Sequence, residues 1–441
     1  MPECGASNRT EDRGRVAVTR LTCISSDGHA TARMADYREY LEKEYLEEFD
    51  AFLAEWEVHG SRNFDPPALS RRLGPEDVKD WETRFLDSGR LDGNSDPDRR
   101  LQEMTSEGVV AEVLFPDFGT PFELYAPQLA STLGVARRDE EHTQVANRAF
   151  NMWLADFVSA APDRFVGMAA VSWSDVDAAI ADIRSVRELG LKGIVLPHFA
   201  QERPLYHPDF GPVWNVLEEV DLVVNSHGGM SSTSNSMIFT PGLPHPGCSS
   251  RLMFPQQSFF QYNILTHLIY GAVLERHPNL TVVFTEMGSD WILPALRDMD
   301  YSYEGSYYRS DFKSVIRSKP SDYFERQCYL GSSIFTKSEI DQRHQIGLDK
   351  MMLGMDYPHH EGTIVETTQN YLQATLGAAH VPVEEARRLL GGTAAEIFGF
   401  DLNRLAPIAA RVGPETDVIL NPPERDLFPR GDVHRPGPLV G

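Results

Sequence analysis

A TIM-type (β/α)8 barrel with insertions and an extended C-terminal arm is the α/β fold that this sequence predicts, and three observations predict it. Eight short apolar runs recur along the 441 residues, and helix-compatible stretches lie between most of them. No glycine-rich phosphate loop follows an early strand, so an open doubly wound sheet is only the runner-up architecture.

The first strand is expected over Val16–Asp27, which is rich in β-branched residues and leads into Gly28-His29. Tyr37–Trp56 reads as a helix from the spacing of Tyr40, Tyr45, Phe49 and Phe52. From His59 to Arg100 the chain is polar and proline-rich with one helical piece, PEDVKDWETRFL, and has too few apolar residues for a core of its own. The remaining strands are expected at Val109–Pro116, Phe165–Val171, Leu191–Pro197, Leu222–His227, Leu280–Gly288, Cys328–Phe335 and Met351–Asp356. Helices are expected between them over Val145–Ala160, Val176–Leu189, Phe210–Glu219, Phe259–Arg276, Ile292–Tyr303, Lys337–Gly347 and Glu366–Ala378. A last helix, Pro382–Ile397, stops at Gly399. Residues 16–400 then form the barrel domain, residues 1–15 a disordered leader, and residues 401–441 an arm that becomes extended and proline-rich after a helical start. Such an arm cannot pack on itself, so it wraps the barrel or reaches a neighbouring subunit. Ile419, Leu420, Leu427 and Phe428 give it apolar side chains for a homodimer interface.

A net charge of -24 argues against a nucleic-acid partner, because phosphate binding draws on Lys and Arg that this surface largely lacks. Cys4, Cys23, Cys248 and Cys328 form no CxxC pair, which reads as reduced thiols in a cytoplasmic protein. No run approaches eighteen apolar residues, and the N-terminus lacks the apolar centre of a signal peptide, so no membrane partner is expected.

Ionisable residues gather where the apolar runs end. The stretch Met351–Gly362, MMLGMDYPHHEG, passes from an apolar run to Asp356, Tyr357, Pro358, His359 and His360. The first run ends in Asp27 and His29, whose i, i+2 spacing aims both side chains one way; the fifth ends in His227 and the sixth in Glu286. Singly, His29 fits a loop histidine, His227 a turn cap and Glu286 an arginine partner. Together, on the carboxyl ends of barrel strands, two imidazoles and several carboxylates are a donor set for a divalent metal: zinc first, with manganese or iron as alternatives.

Asp-x-His on the first run, a histidine on the fifth and Gly-x-Asp-Tyr-Pro-His on the eighth resemble the amidohydrolase superfamily, in the branch that contains aminocarboxymuconate semialdehyde decarboxylase and gamma-resorcylate decarboxylase. The resemblance runs from about Ser26 to about Phe400 and includes DPDRRLQEMTSEGVVAEVLFP, HPDFGPVW and FTEMGSDWILP. It implies a barrel with one divalent metal held by Asp27, His29, His227 and Asp356. At the sixth strand the sequence departs from those decarboxylases, with Glu286 where they usually present a catalytic histidine.

A metal lowers the pKa of its bound water toward neutrality, and an adjacent acid can take up the proton. Asp356 is the candidate for that task, Glu286 is a further ligand, acid/base group or orienter of His227 or Trp291, and His359 is within reach of substrate. The long loop Gly228–Pro255 reads as a lid. Phe115, Phe118, Phe122, Met230, Met237 and Phe239 suit a flat, unsaturated or aromatic small molecule. Because Glu286 replaces a histidine, hydrolysis of a small organic acid or amide is the first expectation. Non-oxidative decarboxylation, dehydrative closure of a heterocycle in secondary metabolism and a non-catalytic binding barrel follow it.

Overall fold

Short runs of Val, Ile, Leu and Phe with apolar residues on both faces pair as parallel strands when helices cover one side. The computed structural model describes residues 19–59, 74–117, 119–123, 139–228, 248–305, 311–359 and 368–423. Within them lie β1 (Ile24–Ser25), β2 (His29–Ala30), β3 (Ala111–Pro116), β4 (Phe165–Ala170), β5 (Gly193–Val195), β6 (Val223–His227), β7 (Val282–Thr285), β8 (Cys328–Ser333) and β9 (Met351–Gly354). All neighbours pair in parallel, in the order β1-β3-β4-β5-β6-β7-β8-β9, with β2 also on β3. Hydrogen bonds from Ser26 N to Leu353 O at 2.7 Å and from Asp356 N to Asp27 O at 2.8 Å, with a Gly28–Tyr357 bridge, join the last strand to the first. The ring so formed is the expected (β/α)8 barrel, its first strand split in two around Asp27.

Residues alternate between two cores. Ile24, Val113, Phe115, Met168, Val195, Val223, Val283 and Met352 pack with Ala394, Phe398, Leu405 and Ala409 of the helices Thr393–Phe398 and Leu402–Val412. Leu114, Ala169, Ile194, Val224, Val282 and Leu353 belong to the larger core, which includes Leu154, Ile183, Leu217, Leu268 and Ile292 of the surrounding helices. The C-terminal helices thus stopper the end where strands begin, and the other end is left to the site. Among the described residues no helix is long and apolar enough to cross a membrane.

Several elements differ from expectation for local reasons. Thr19–Leu21 do not extend the first strand; they pair with the C-terminal segment instead, through Leu21 N to Pro414 O at 3.0 Å and Thr416 N to Thr19 O at 2.9 Å. The expected helix Tyr37–Trp56 is two short 3-10 segments, Met34–Glu39 and Lys43–Tyr45, followed by an α-helix, Leu46–His59. An unexpected helix, Pro97–Glu107, starts where the Asp96 carboxylate caps the amides of Asp98 and Arg99 and Pro97 sets the first turn; it ends at Gly108 with φ 78°. The proposed lid is shorter than expected because a helix begins at Cys248, and residues 229–247 lie outside the described residues.

The arm also changes meaning. Ile419 is fully buried in the chain's own core, so it is not available to a second subunit, and Leu420 packs beside that core while staying half-buried; Leu427, Phe428 and the leader lie outside the described residues. Ile419→Ala is expected to cost about 2–5 kcal/mol in denaturant unfolding, the usual effect of a cavity in a core. It should leave the sedimentation coefficient unchanged, whereas an interface residue would alter the assembly before the stability.

Candidate active site

Barrel strands deliver side chains at their carboxyl ends, and here they deliver a ring of acids and imidazoles. His29, on β2, donates its Nδ1 hydrogen to the Pro116 carbonyl at 2.8 Å. A carbonyl only accepts, so Nδ1 carries a proton and Nε2 is the nitrogen that faces the site. That buried Nε2 has no hydrogen-bond partner among the described residues, and neither does Oδ1 of Asp356, which lies 3.3 Å from it. His227, the last residue of β6, bonds the Gly228 carbonyl through Nδ1 at 2.9 Å and turns Nε2 to Asp27 Oδ1 at 3.2 Å. Asp27 Oδ1 is also 3.7 Å from His29 Nε2, and its Oδ2 accepts a hydrogen bond from Ser333 at the end of β8.

The four residues expected as ligands therefore converge around His29 Nε2. The donor atoms of Asp27, His29 and His227 lie within 4.8 Å of one another, and so do those of His29, Glu286, Asp356 and His359. Two imidazoles, each tied at Nδ1 to a backbone carbonyl with Nε2 aimed at carboxylates, suit a divalent cation in ligand type and outer support.

Glu286 and Asp356 follow β7 and β9 at φ 76° and 54°, left-handed values that cost energy in a non-glycine residue and recur at functional sites. Glu286 Oε2 faces His227 Nδ1 at 3.3 Å, so of its two expected partners it meets His227; the Trp291 indole instead donates to the Gly288 carbonyl at 3.2 Å. His359 lies flat on His29, with ring centroids 4.1 Å apart, between Asp356 at 3.1 Å on Nδ1 and Asp117 at 3.4 Å on Nε2.

Burial opposes a charge on His227, but Glu286 and Asp27 outweigh it and hold the ring well above the usual imidazole range. For His359 burial is likewise overcome, by Asp356 and Asp117. Burial pushes Glu286 up, and His227 offsets this only in part. Asp356 ends below the usual carboxylate range because His359 and His29 outweigh its burial. Such a field takes up protons where a cation is missing and releases them when one binds.

Other expectations fare differently. Phe115 is buried against His227, with centroids 4.6 Å apart. Phe122 packs on Phe49 and Phe52 of the first helix and not on the acid and imidazole ring. His198 is exposed, and His207 caps the turn Pro208–Phe210. Phe118, Met230, Met237, Phe239 and His360 lie outside the described residues. Sequence reasoning misses Asp117, although Val113, Phe115 and Asp117 keep the period of two. It also misses Arg100 and Glu112, although a charge inside the apolar run VVAEVLFP demands a partner.

The family model described as amidohydrolase matches residues 120–400. The chain belongs to the amidohydrolase family. Gamma-resorcylate decarboxylase from Rhizobium sp. (strain MTP-10005) is 25% identical over 272 residues, 59% of this chain and 76% of its own. The 2-amino-3-carboxymuconate-6-semialdehyde decarboxylase of Dictyostelium discoideum is 24% identical over 324 residues, 71% of this chain and 80% of its own. A solved dihydroxybenzoic acid decarboxylase from Polaromonas sp. JS666, with bound manganese and the inhibitor 2-nitroresorcinol, shares the amidohydrolase barrel at TM-score 0.56 and 18% identity, covering 87% of this chain and 98% of that one.

His227 and His359 bind their protons more tightly folded than unfolded, so their stabilising contribution is whole below the unfolded value of 6.5 and is lost as pH rises through the folded values. Protein treated with a chelator is therefore expected to melt at progressively lower temperature above pH 6.5. A divalent salt should flatten that slope, and melting curves across pH with and without the salt check it.

Proposed function

We propose that this chain is a metal-dependent, non-oxidative decarboxylase of a small aromatic or unsaturated acid. The observation that carries the reading is the match to decarboxylases of two substrate types along 76% and 80% of their own lengths. Hydrolysis, the first expectation from Glu286, becomes the second reading: a carboxylate beside the metal donors also suits the activation of water.

Asp27, His29, His227 and Asp356 are the proposed ligands. Manganese is the metal to test before zinc, because carboxylate oxygens suit it and a relative's structure carries it. Bound there, a divalent cation supplies a positive charge that holds a carboxylate and a neighbouring oxygen and draws electron density from the carbon skeleton. The protein's own task is the proton. Burial pushes the Glu286 carboxyl up and its side chain is 18% exposed, so burial favours its protonated form while substrate can still reach it. Glu286 delivers the proton to the carbon as the bond to the carboxylate breaks: the electron pair of that bond forms the new C–H bond on the product, the carboxylate leaves as carbon dioxide, and Glu286 is left as the anion. His359 Nδ1, 3.9 Å from Glu286 Oε1, is the group that returns a proton to Glu286.

With manganese added, the purified protein is expected to release carbon dioxide from ortho-hydroxylated benzoates such as 2,6-dihydroxybenzoate, and a chelator should stop it. Glu286→Gln should lower turnover by about 10²- to 10⁴-fold while manganese stays bound. Amide hydrolysis with no carbon dioxide from any aromatic acid would reverse the order of the two readings.

A further inference from the structure

Behind the ring of acids and imidazoles lies a second buried charge centre. Arg100, on the helix Pro97–Glu107, is fully buried and is among the largest buried side chains of the protein. Its Nε donates to Glu112 Oε2 of β3 at 2.8 Å, and its guanidinium lies 4.0 Å over the Tyr357 ring. Nη1 donates to the carbonyls of His29 at 2.9 Å and Gly93 at 3.4 Å, and Nη2 donates to the carbonyl of Tyr357 at 3.4 Å. A guanidinium presents several donors in a fixed plane, so one side chain holds a carboxylate and three separate pieces of backbone in register.

Two of those pieces carry the site. His29 is a proposed ligand, and Tyr357 sits between the proposed ligand Asp356 and His359. They meet at the seam where the last strand returns to the first, and the seam is held by few backbone bonds, among them His29 N to Tyr357 O at 2.7 Å. Gly28, which links Asp27 to His29, lies so close to the pair that a Cβ there would run into Glu112 Oε1 and Arg100 Nη2. The ion pair thus fills the place a side chain would take, directly against the segment that bears both ligands of the first strand.

We infer that Arg100, with Glu112 as its counter-charge, is a positioning residue that fixes His29 against Asp356 and so sets the site's affinity for its metal. Arg100 touches neither metal nor substrate; it acts through the two carbonyls. The inference rests on the metal reading above. Burial explains why the pair must be complete: it pushes the Glu112 carboxyl up, and Arg100 opposes that push. Removing one partner strands a buried charge, whereas replacing both with apolar side chains of similar volume can leave a fold intact.

The test measures manganese binding by calorimetry, together with unfolding midpoints. The double variant Arg100→Met with Glu112→Leu is expected to fold with a midpoint near that of the native protein and to bind manganese about 10- to 100-fold more weakly, the usual effect of losing an outer support. Arg100→Lys keeps the charge but not the planar fork, and should weaken binding in the same direction. It also serves if the double variant does not fold. Ile419→Ala, which opens a cavity in the core at the helix Thr416–Ile419 and touches no member of the Arg100 network, should leave manganese affinity unchanged. Native affinity in both Arg100 variants, or an equal loss of affinity in Ile419→Ala, overturns the positioning role while the metal reading stands. Native protein that binds no manganese overturns the metal reading itself, and this inference with it.

Discussion

Five carboxylates, Asp27, Glu112, Asp117, Glu286 and Asp356, meet around one end of a single barrel, four of them buried. An unpaired buried charge is too costly to persist, so each must find a proton, a cation or donors. Much of the local architecture answers that constraint. Arg100 crosses from an outer helix to reach Glu112, His359 stands between Asp117 and Asp356, and His227 stands between Asp27 and Glu286. His29 gives its Nδ1 proton to a carbonyl, and its face is covered by His359. Two protonated rings and one arginine leave an excess of negative charge, and a divalent cation beside His29 Nε2 is the group that would remove it.

The fold separates that demand from stability. Alternate residues of the strands form an apolar column from Ile24 and Val223 up to Phe115, and Phe398 and Leu405 seal it from below. The acids and imidazoles of the site follow the column only where the strands end, so a rigid column holds them in fixed directions. Rigid support also explains how Glu286 and Asp356 keep left-handed backbone angles. The preceding strand residues are locked in the sheet, and Asp356 N is tied to the Asp27 carbonyl at 2.8 Å.

What was legible in the sequence followed from periodicity. Seven of the eight expected strands appear as single strands within their expected runs, because a run buried on both faces leaves a continuous apolar signature. The strand ends named Asp27, His29, His227, Glu286 and Asp356, which meet as expected. Residues whose importance comes from distant partners were not legible. Arg100 lies in a polar stretch that looks like a solvated excursion, and nothing local says that its head reaches a seam formed by residues 257 positions later. Ile419 looks like a free apolar residue on an extended arm until residues 19–21 are seen to pair with that arm rather than with the sheet.

Glu286 is where the two proposed reactions part, and its two oxygens show how one carboxyl can serve apparently opposed roles. Accepting a hydrogen bond from His227 favours the anion, while protonating a carbon requires the neutral acid. A neutral carboxyl still has one acceptor oxygen, and here the oxygens face different neighbours: Oε2 toward His227 at 3.3 Å and Oε1 toward His359 at 3.9 Å. A proton carried on Oε1 leaves Oε2 free to orient the imidazole. Burial favours that proton, and in the proposed reaction His359, fixed between two carboxylates, stands on the side from which it would be replaced.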